Sequence, residues 1–339
     1  MSAFVDIAGL KVTIPTPQGP LTPVRGLDLQ VVKGETLAIV GESGCGKSLT
    51  ALALIGLVPP PCRVSAERLS FDGQSLLGLG AAAWRTLRGP RIAMIFQDPM
   101  TSLDPCYTIG SQLVEVMRTH RRISETAARQ RAIDLLTRVG VPSPAARLGQ
   151  YPHQLSGGLR QRVMIAMALS CEPDLIIADE PTTALDVTTQ AQVLGLLAQL
   201  QDETGVAIIL ITHDLGVVAS VAHRMAVMYA GQVVETGPTA AVLARPSHPY
   251  TEGLLRAIPT PGLTARGAPL GTIPGIVPPP TAATDGCLFL ARCPYARPAC
   301  AAGPIPLAPL APGHAQRCIR PLAERAGEPG YAALVGADG

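Results

Sequence analysis

Short apolar runs at residues 37–40, 91–96, 175–178 and 207–211 punctuate the first two-thirds of the chain. Runs of this length, rich in Val, Ile and Leu and ended by polar residues or glycine, are how strands buried on both faces read. Helical stretches separate them, and residues 126–139 are amphipathic. The alternation predicts an α/β fold with a largely parallel sheet flanked by helices. Residues from about 108 to 170 are richer still in helical sequence, which predicts a helical subdomain inserted into the α/β core.

The pattern changes after Gly237. Eighteen of the 33 prolines lie from Pro238 onward, a density that excludes long regular elements there. Four of the eight cysteines lie there too. Two domains are therefore expected, at 1–236 and 237–339, the second a small irregular extension without a large apolar core of its own. Aromatics make up only 3% of the chain, so the first domain must build its core from Ala, Leu, Val and Ile.

Charge and hydropathy narrow the function classes. Net charge is +2, and no basic run exceeds the pair Arg121 and Arg122, which speaks against nucleic acid as a partner. No apolar run reaches the roughly 18 to 20 residues that cross a bilayer. The best segment of the first half, residues 51–62, ends in prolines, and the N-terminus lacks the regions of a signal peptide. A cytosolic chain attached to a membrane only through a partner is expected, and its cysteines are not read as disulfides.

Gly41-Glu42-Ser43-Gly44-Cys45-Gly46-Lys47-Ser48 fits the phosphate-binding pattern G-x-x-x-x-G-K-[ST]. It follows the run 37–40 and precedes an apolar helical stretch, as the motif requires. The glycines let backbone N–H groups curl around phosphates, and a helix N-terminus adds partial positive charge. Lys47 is expected on the β- and γ-phosphates and the Ser48 hydroxyl on Mg²⁺. The run 175–178 ends in Asp179 and Glu180. Asp179 is placed to hold Mg²⁺ and Glu180 to orient or deprotonate the attacking water.

Leu155-Ser156-Gly157-Gly158-Leu159-Arg160-Gln161 resembles the signature sequence of ABC ATPases. Ser156 is a natural N-cap for a helix starting near Gly158, so exposed N–H groups, hydroxyl and helix dipole form an anion site. The family's other motifs follow in order. Gln97 resembles the Q-loop glutamine, which senses Mg²⁺ and meets the membrane subunits. Ala184-Leu185-Asp186 resembles the D-loop, and Thr212-His213-Asp214 resembles the H-switch, with His213 near the γ-phosphate. The resemblance spans roughly residues 4 to 235. It implies a P-loop ABC cassette whose signature residues Ser156, Gly157 and Gly158 act on the nucleotide of a second cassette. One departure concerns adenine: Ile14 stands where the family usually places a stacking aromatic, forgoing about 0.5–1.5 kcal/mol of ring-specific stacking.

The tail narrows the resemblance. His248-Pro249-Tyr250-Thr251-Glu252-Gly253-Leu254-Leu255, Ile273-Pro274-Gly275-Ile276-Val277-Pro278 and Gln97-Asp98-Pro99-Met100-Thr101-Ser102-Leu103-Asp104-Pro105 look like the ATPase subunits of bacterial dipeptide/oligopeptide importers. That membership implies two membrane permeases, an extracytoplasmic solute-binding protein, a second ATPase subunit (a paralogue or a copy of this chain), and a place on the cytoplasmic side of the inner membrane. Cys287, Cys293, Cys300 and Cys318 fit the tail whose four cysteines bind a [4Fe–4S] cluster. Their C-x5-C-x6-C-x17-C spacing does not itself identify the metal: Zn²⁺ also takes four thiolates, and unligated thiols are the third reading. Such a cluster is expected to hold the tail together and to leave hydrolysis alone. Cys45, Cys62, Cys106 and Cys171 are read as packing residues.

Three functions compete on the sequence. The first is an importer ATPase for di- or oligopeptides, with nickel, glutathione or another small solute as related cargoes. The second is a soluble ABC ATPase of repair or translation, which usually carries two cassettes or a basic or coiled-coil insertion that this chain lacks. The third is an Fe–S redox sensor, against which the full set of catalytic motifs argues.

Overall fold

The computed structural model describes residues 3–183, 185–258, 272–281, 286–320 and 325. Its main sheet has eight strands. Ile92–Ile95, Leu175–Asp179, Ala207–Thr212, Thr36–Val40 and Arg224–Tyr229 lie side by side and parallel. Gln232–Pro238 turns back antiparallel, and His314–Gln316 and Ala308–Ala311 extend that edge. The four apolar runs of the sequence are thus neighbours in the sheet, as the α/β expectation required.

These strands are apolar on both faces because each face meets a different core. Leu175 and Ile177 face one core and Ile176 and Ala178 the other. Ala207, Ile209 and Ile211 alternate with Ile208 and Leu210 in the same way. The first core is closed by the helix Lys47–Leu54 and a second, antiparallel sheet of five strands. That sheet is built around Val5–Ile14, which pairs with Leu21–Val31, Arg63–Ser65 and Arg68–Phe71. Of this sheet only Leu10–Ile14 reads as a strand in the sequence, because half-buried strands carry a weaker pattern than buried ones.

The other face is covered by helices. Ile109–His120, Glu125–Arg138 and Gly157–Leu169 stand between the strands Ile92–Ile95 and Leu175–Asp179, where helical sequence was densest. Their starts are capped by side chains: Thr108 accepts from the N–H of Ser111, Ser124 from Ala127 and Ser156 from Leu159. Among the described residues no helix is long and apolar enough to cross a membrane.

The segment after Gly237 shares the cassette's structure. Strand Gln232–Pro238 runs through the composition boundary, and the tail strands His314–Gln316 and Ala308–Ala311 continue the same sheet. A third core joins Val40, Val227 and Tyr229 of the sheet to Tyr250 and Phe289 of the tail. The three rings lie 4.7, 5.1 and 5.4 Å apart between centroids, each such pair adding about 0.5–1.5 kcal/mol beyond its area. Buried Glu235 locks the join: its carboxylate accepts the N–H groups of Ser247 and His248 at 2.8 and 2.9 Å and lies 2.9 Å from His314 Nε2. The described apolar residues of the Pro-rich tail thus share a core with the first domain.

Candidate functional site

The parallel strands end at one edge, and the chemistry-bearing loops leave them there, where open α/β sheets bind ligands. Strand Thr36–Val40 runs into Gly41, whose backbone passes so close to Arg224–Tyr229 that a Cβ would come within 2.2 Å of the Met228 carbonyl oxygen. Gly46 has φ 101°, and a Cβ there would lie 2.6 Å from the Pro23 carbonyl oxygen. Larger residues at either place would push the loop off its supports. Helix Lys47–Leu54 starts at Gly46 with no side-chain cap, leaving its first amides to serve a ligand.

Lys47 is buried and folds back onto the loop, its Nζ donating to the carbonyls of Gly41 at 2.8 Å and Glu42 at 3.0 Å. Ser48 stands beside Asp179 and favours its charged form. Burial pushes the Asp179 carboxyl above the usual carboxylate range, Ser48 and Lys47 acting against it. Asp179 Oδ1 is buried with no hydrogen-bond partner among the described residues. An orphaned carboxylate oxygen beside a hydroxyl is the donor set a hard divalent cation prefers.

Glu180 collects the remaining catalytic candidates. Its Oε2 accepts from Gln97 Nε2 at 3.2 Å and Thr183 Oγ at 2.8 Å, and His213 Nδ1 lies 3.5 Å away. Gln97, Glu180 and His213 come from the ends of three adjacent strands and meet at one carboxylate. Sequence reasoning missed Thr183, and it missed Gln112. The Gln112 amide donates to the carbonyls of Asp104 and Tyr107 and accepts from the N–H of Asp104, which holds the loop after Gln97 in shape. The third residue after Asp179-Glu180 was the only sequence cue to Thr183, and Gln112 carried none.

The signature residues lie elsewhere. Ser156 and Gly157 are exposed at the start of their helix, and among the described residues no hydrogen bond joins 156–158 to 41–48. Asp186 caps the helix Val187–Thr204, accepting from the N–H and hydroxyl of Thr189. These bonds hold its carboxyl below the usual range. Ala184 lies outside the described residues. Ile14 is half-buried at the end of its strand, opposite Leu21.

The four tail cysteines line one small cavity with His248, Phe289 and Tyr295. Burial pushes the Cys287 thiol up to about 11 and the Cys293 thiol up to about 12, and raises Cys318 as well. Among the described residues, however, no group of three or more His, Cys, Asp or Glu side chains stands close enough to grip a metal as it is. Of the remaining cysteines, Cys45 and Cys171 are buried, Cys62 is half-buried and Cys106 is exposed. The tail is far in sequence from the phosphate loop, yet the structure brings the two together. Arg292, beside Cys293, makes a two-pronged ion pair with Glu42 at 2.9 and 3.1 Å. Tyr250 Oη accepts the Glu42 N–H at 2.9 Å. Sequence separation hid this contact because the tail packs back over the strand ends.

Known proteins resemble the chain in both its parts. The ABC transporter family matches residues 24–183, and the oligopeptide/dipeptide transporter C-terminal region matches residues 234–300. The dipeptide transport ATP-binding protein DppD of Escherichia coli K12 is 50% identical over 327 residues, covering 96% of this chain and 99% of that protein. DppD of Bacillus subtilis 168 is 50% identical over 295 residues, covering 87% and 88%. A putative peptide import ATP-binding protein of Brucella melitensis biotype 1 is 48% identical over 327 residues, covering 94% and 97%. Among solved structures, the dimeric ATP-binding cassette MJ0796 bound to ADP and Pi aligns with TM-score 0.64 at 27% identity, covering 69% of this chain and 98% of that one. The cassette cbiO1 of Clostridium perfringens aligns with TM-score 0.61 at 28% identity, covering 72% and 92%.

Proposed function

The chain belongs to the ATP-binding subunits of ABC transporters, on the dipeptide and oligopeptide branch, and from that premise we propose how its residues bind ATP, hydrolyse it and pass the stroke to a membrane partner. Its activity is ATP hydrolysis that powers a peptide importer. The observation that carries the residue roles is the convergence of Gln97, Thr183 and His213 on the Glu180 carboxylate, next in sequence to the buried Asp179.

In this reading Gly41, Glu42, Ser43, Gly44, Cys45 and Gly46 form the phosphate cradle through their backbone, and Lys47 swings from its carbonyl partners onto the β- and γ-phosphates. Ser48, Asp179 and Gln97 hold Mg²⁺, which neutralises charge on the phosphates when bound. Glu180 orients the attacking water, and His213 stands by to contact the γ-phosphate. Ser156, Gly157 and Gly158 serve the nucleotide of a second cassette, and Asp186 lies near that junction. Two cassettes facing head to tail bury two nucleotides, and their closing and opening drive the permeases.

The same reading assigns two permeases, a second cassette (a copy or a paralogue) and an extracytoplasmic binding protein as partners. It sets the chain peripherally on the cytoplasmic face of the membrane. Dipeptides and oligopeptides are the assigned cargo; the sequence of the chain itself leaves nickel or glutathione importers open. The division at 236/237 is kept as one of composition, the cassette before it and the importer-type extension after it. Cys287, Cys293, Cys300 and Cys318 are assigned to a [4Fe–4S] cluster, supported by the one cavity they share; Zn²⁺ is the alternative.

One preparation tests all of this. The complex, extracted anaerobically in mild detergent with this chain as bait, should bring down two permeases and a second cassette and hydrolyse MgATP. About four irons per chain should accompany it if the four thiols hold one cluster. Capture without membrane subunits would sink the importer reading, and stoichiometric zinc without iron would replace the cluster.

A further inference from the structure

We propose that the C-terminal segment positions the phosphate loop: Arg292 neutralises and holds aside the Glu42 carboxylate while Tyr250 fixes the Glu42 backbone, so that the tail sets the affinity for MgATP. This rests on the reading of residues 41–48 as the nucleotide cradle.

A carboxylate inside a loop that must hold a polyphosphate is an electrostatic liability, since like charges at such range repel strongly once water is excluded. Glu42 is that carboxylate. Both its oxygens are engaged by Arg292, at 2.9 and 3.1 Å, in the fork geometry that suits guanidinium to carboxylate. The Arg292 side chain is only 6% exposed, so the pair is poorly screened. Arg292 is itself fixed from three sides. Its guanidinium donates to the carbonyls of Pro274 and Ile273, each at 3.0 Å, and touches Tyr229 Oη at 3.4 Å. Gly275, at φ 83°, lies so near that a Cβ would sit 3.2 Å from Arg292 Cγ. The Ile273-Pro274-Gly275 run, which the nucleotide chemistry did not absorb, thus serves as the seat for one arginine.

The backbone of Glu42 is held by a second tail residue. Its N–H donates to Tyr250 Oη at 2.9 Å, and the Tyr250 ring is fully buried against Tyr229 and Phe289. Two tail side chains therefore grip one loop residue, five positions before Lys47. The grip acts on the conformation of the cradle without touching the reacting atoms, so these are positioning residues.

The test measures binding of a fluorescent ATP analogue with Mg²⁺ to the full-length chain, alongside the melting temperature. Arg292→Gln should weaken binding about tenfold, because it strands the Glu42 charge beside the phosphates. The double variant R292Q/E42Q should recover most of that loss, since the stranded charge is gone. A purely structural arginine that only anchors Ile273 and Pro274 gives no such recovery. Tyr250→Phe, which removes a single hydroxyl from an intact ring cluster, keeps the question answerable should R292Q not fold, and should weaken binding about threefold. Affinities within experimental error of wild type in R292Q or, failing that, in Y250F would overturn the proposal. So would an R292Q loss that E42Q does not relieve. Failure of the wild-type chain to bind the analogue would instead sink the nucleotide-site reading beneath it.

Discussion

Glu180 sits at φ 46°, in the left-handed region that a non-glycine residue adopts at a cost of about 1–3 kcal/mol. Its backbone N–H donates to the Ile211 carbonyl at 2.9 Å, and its carboxylate is met by Gln97, Thr183 and His213. The carboxylate of Glu180 thus meets Gln97, Thr183 and His213, whereas Asp179 stays buried. The proposed roles give these two adjacent carboxylates different work. Glu180→Gln keeps the shape and loses the negative charge that the proposed role requires. It should retain MgATP binding and lower steady-state turnover by about 10²–10⁴-fold, the usual weight of a positioned general base. Turnover near the wild-type rate in the assembled transporter would remove Glu180 from that role.

At the scale of elements, Glu172 ties the helices of the helical stretch to one another. It follows helix Gly157–Leu169 at φ 54°, and its carboxylate takes Arg121 at 2.9 Å and Arg131 in a second, short contact. Arg121 terminates the helix Ile109–His120 and Arg131 belongs to Glu125–Arg138, so one carboxylate gathers three helices. Hydrogen bonds from Arg121 and then Arg131 pull its carboxyl down from 4.5 to about 2. A depressed acid adds stability above its unfolded value, and that stability drains away as pH falls from about 4.5 toward 2. The group is largely exposed, so its worth at neutral pH is no more than about 1 kcal/mol. Denaturant unfolding should show Glu172→Gln less stable than wild type at pH 7 and the gap closing as pH approaches 2. A gap that persists unchanged at low pH would mean the clamp is not electrostatic.

At the scale of the molecule, the proposed roles make a single chain half a site. Ser156 and Gly157 of the signature segment are exposed, and among the described residues 156–158 make no hydrogen bond to the phosphate loop 41–48. The capped helix start offers backbone N–H groups and the positive end of the helix dipole, which suit an anion. Ser156→Arg places a bulky cation there and removes the cap. It should leave the chain's own MgATP affinity within about twofold of wild type, cap losses being local. It should abolish the ATP-dependent pairing of cassettes that light scattering detects in a hydrolysis-deficient background. A loss of the chain's own ATP binding as deep as that caused by Lys47→Ala would return the signature to a role in cis.

The sequence alone determined the parallel strands, the phosphate loop, the Asp179-Glu180 pair and the capped helix at Ser156. Each of these rests on local chemistry: a strand buried on both faces must be apolar throughout, a loop wrapped around phosphate must be glycine-rich, and a helix start must be capped. Gln97 and His213 were legible only through the resemblance of their segments to the Q-loop and H-switch of ABC ATPases. What only the tertiary structure decided is who meets whom. Thr183 on Glu180, Gln112 within the loop after Gln97, and the half-buried antiparallel sheet depend on how chain segments cross, which leaves little periodic trace. The tail is the largest such case. Its prolines marked it as irregular, and it lies far in sequence from the phosphate loop. Packing brings the two together, because Tyr250 and Phe289 of the tail are buried with Val40, Val227 and Tyr229 of the sheet. Once there, Tyr250 and Arg292 reach Glu42 across 208 and 250 positions, contacts that no local pattern can encode.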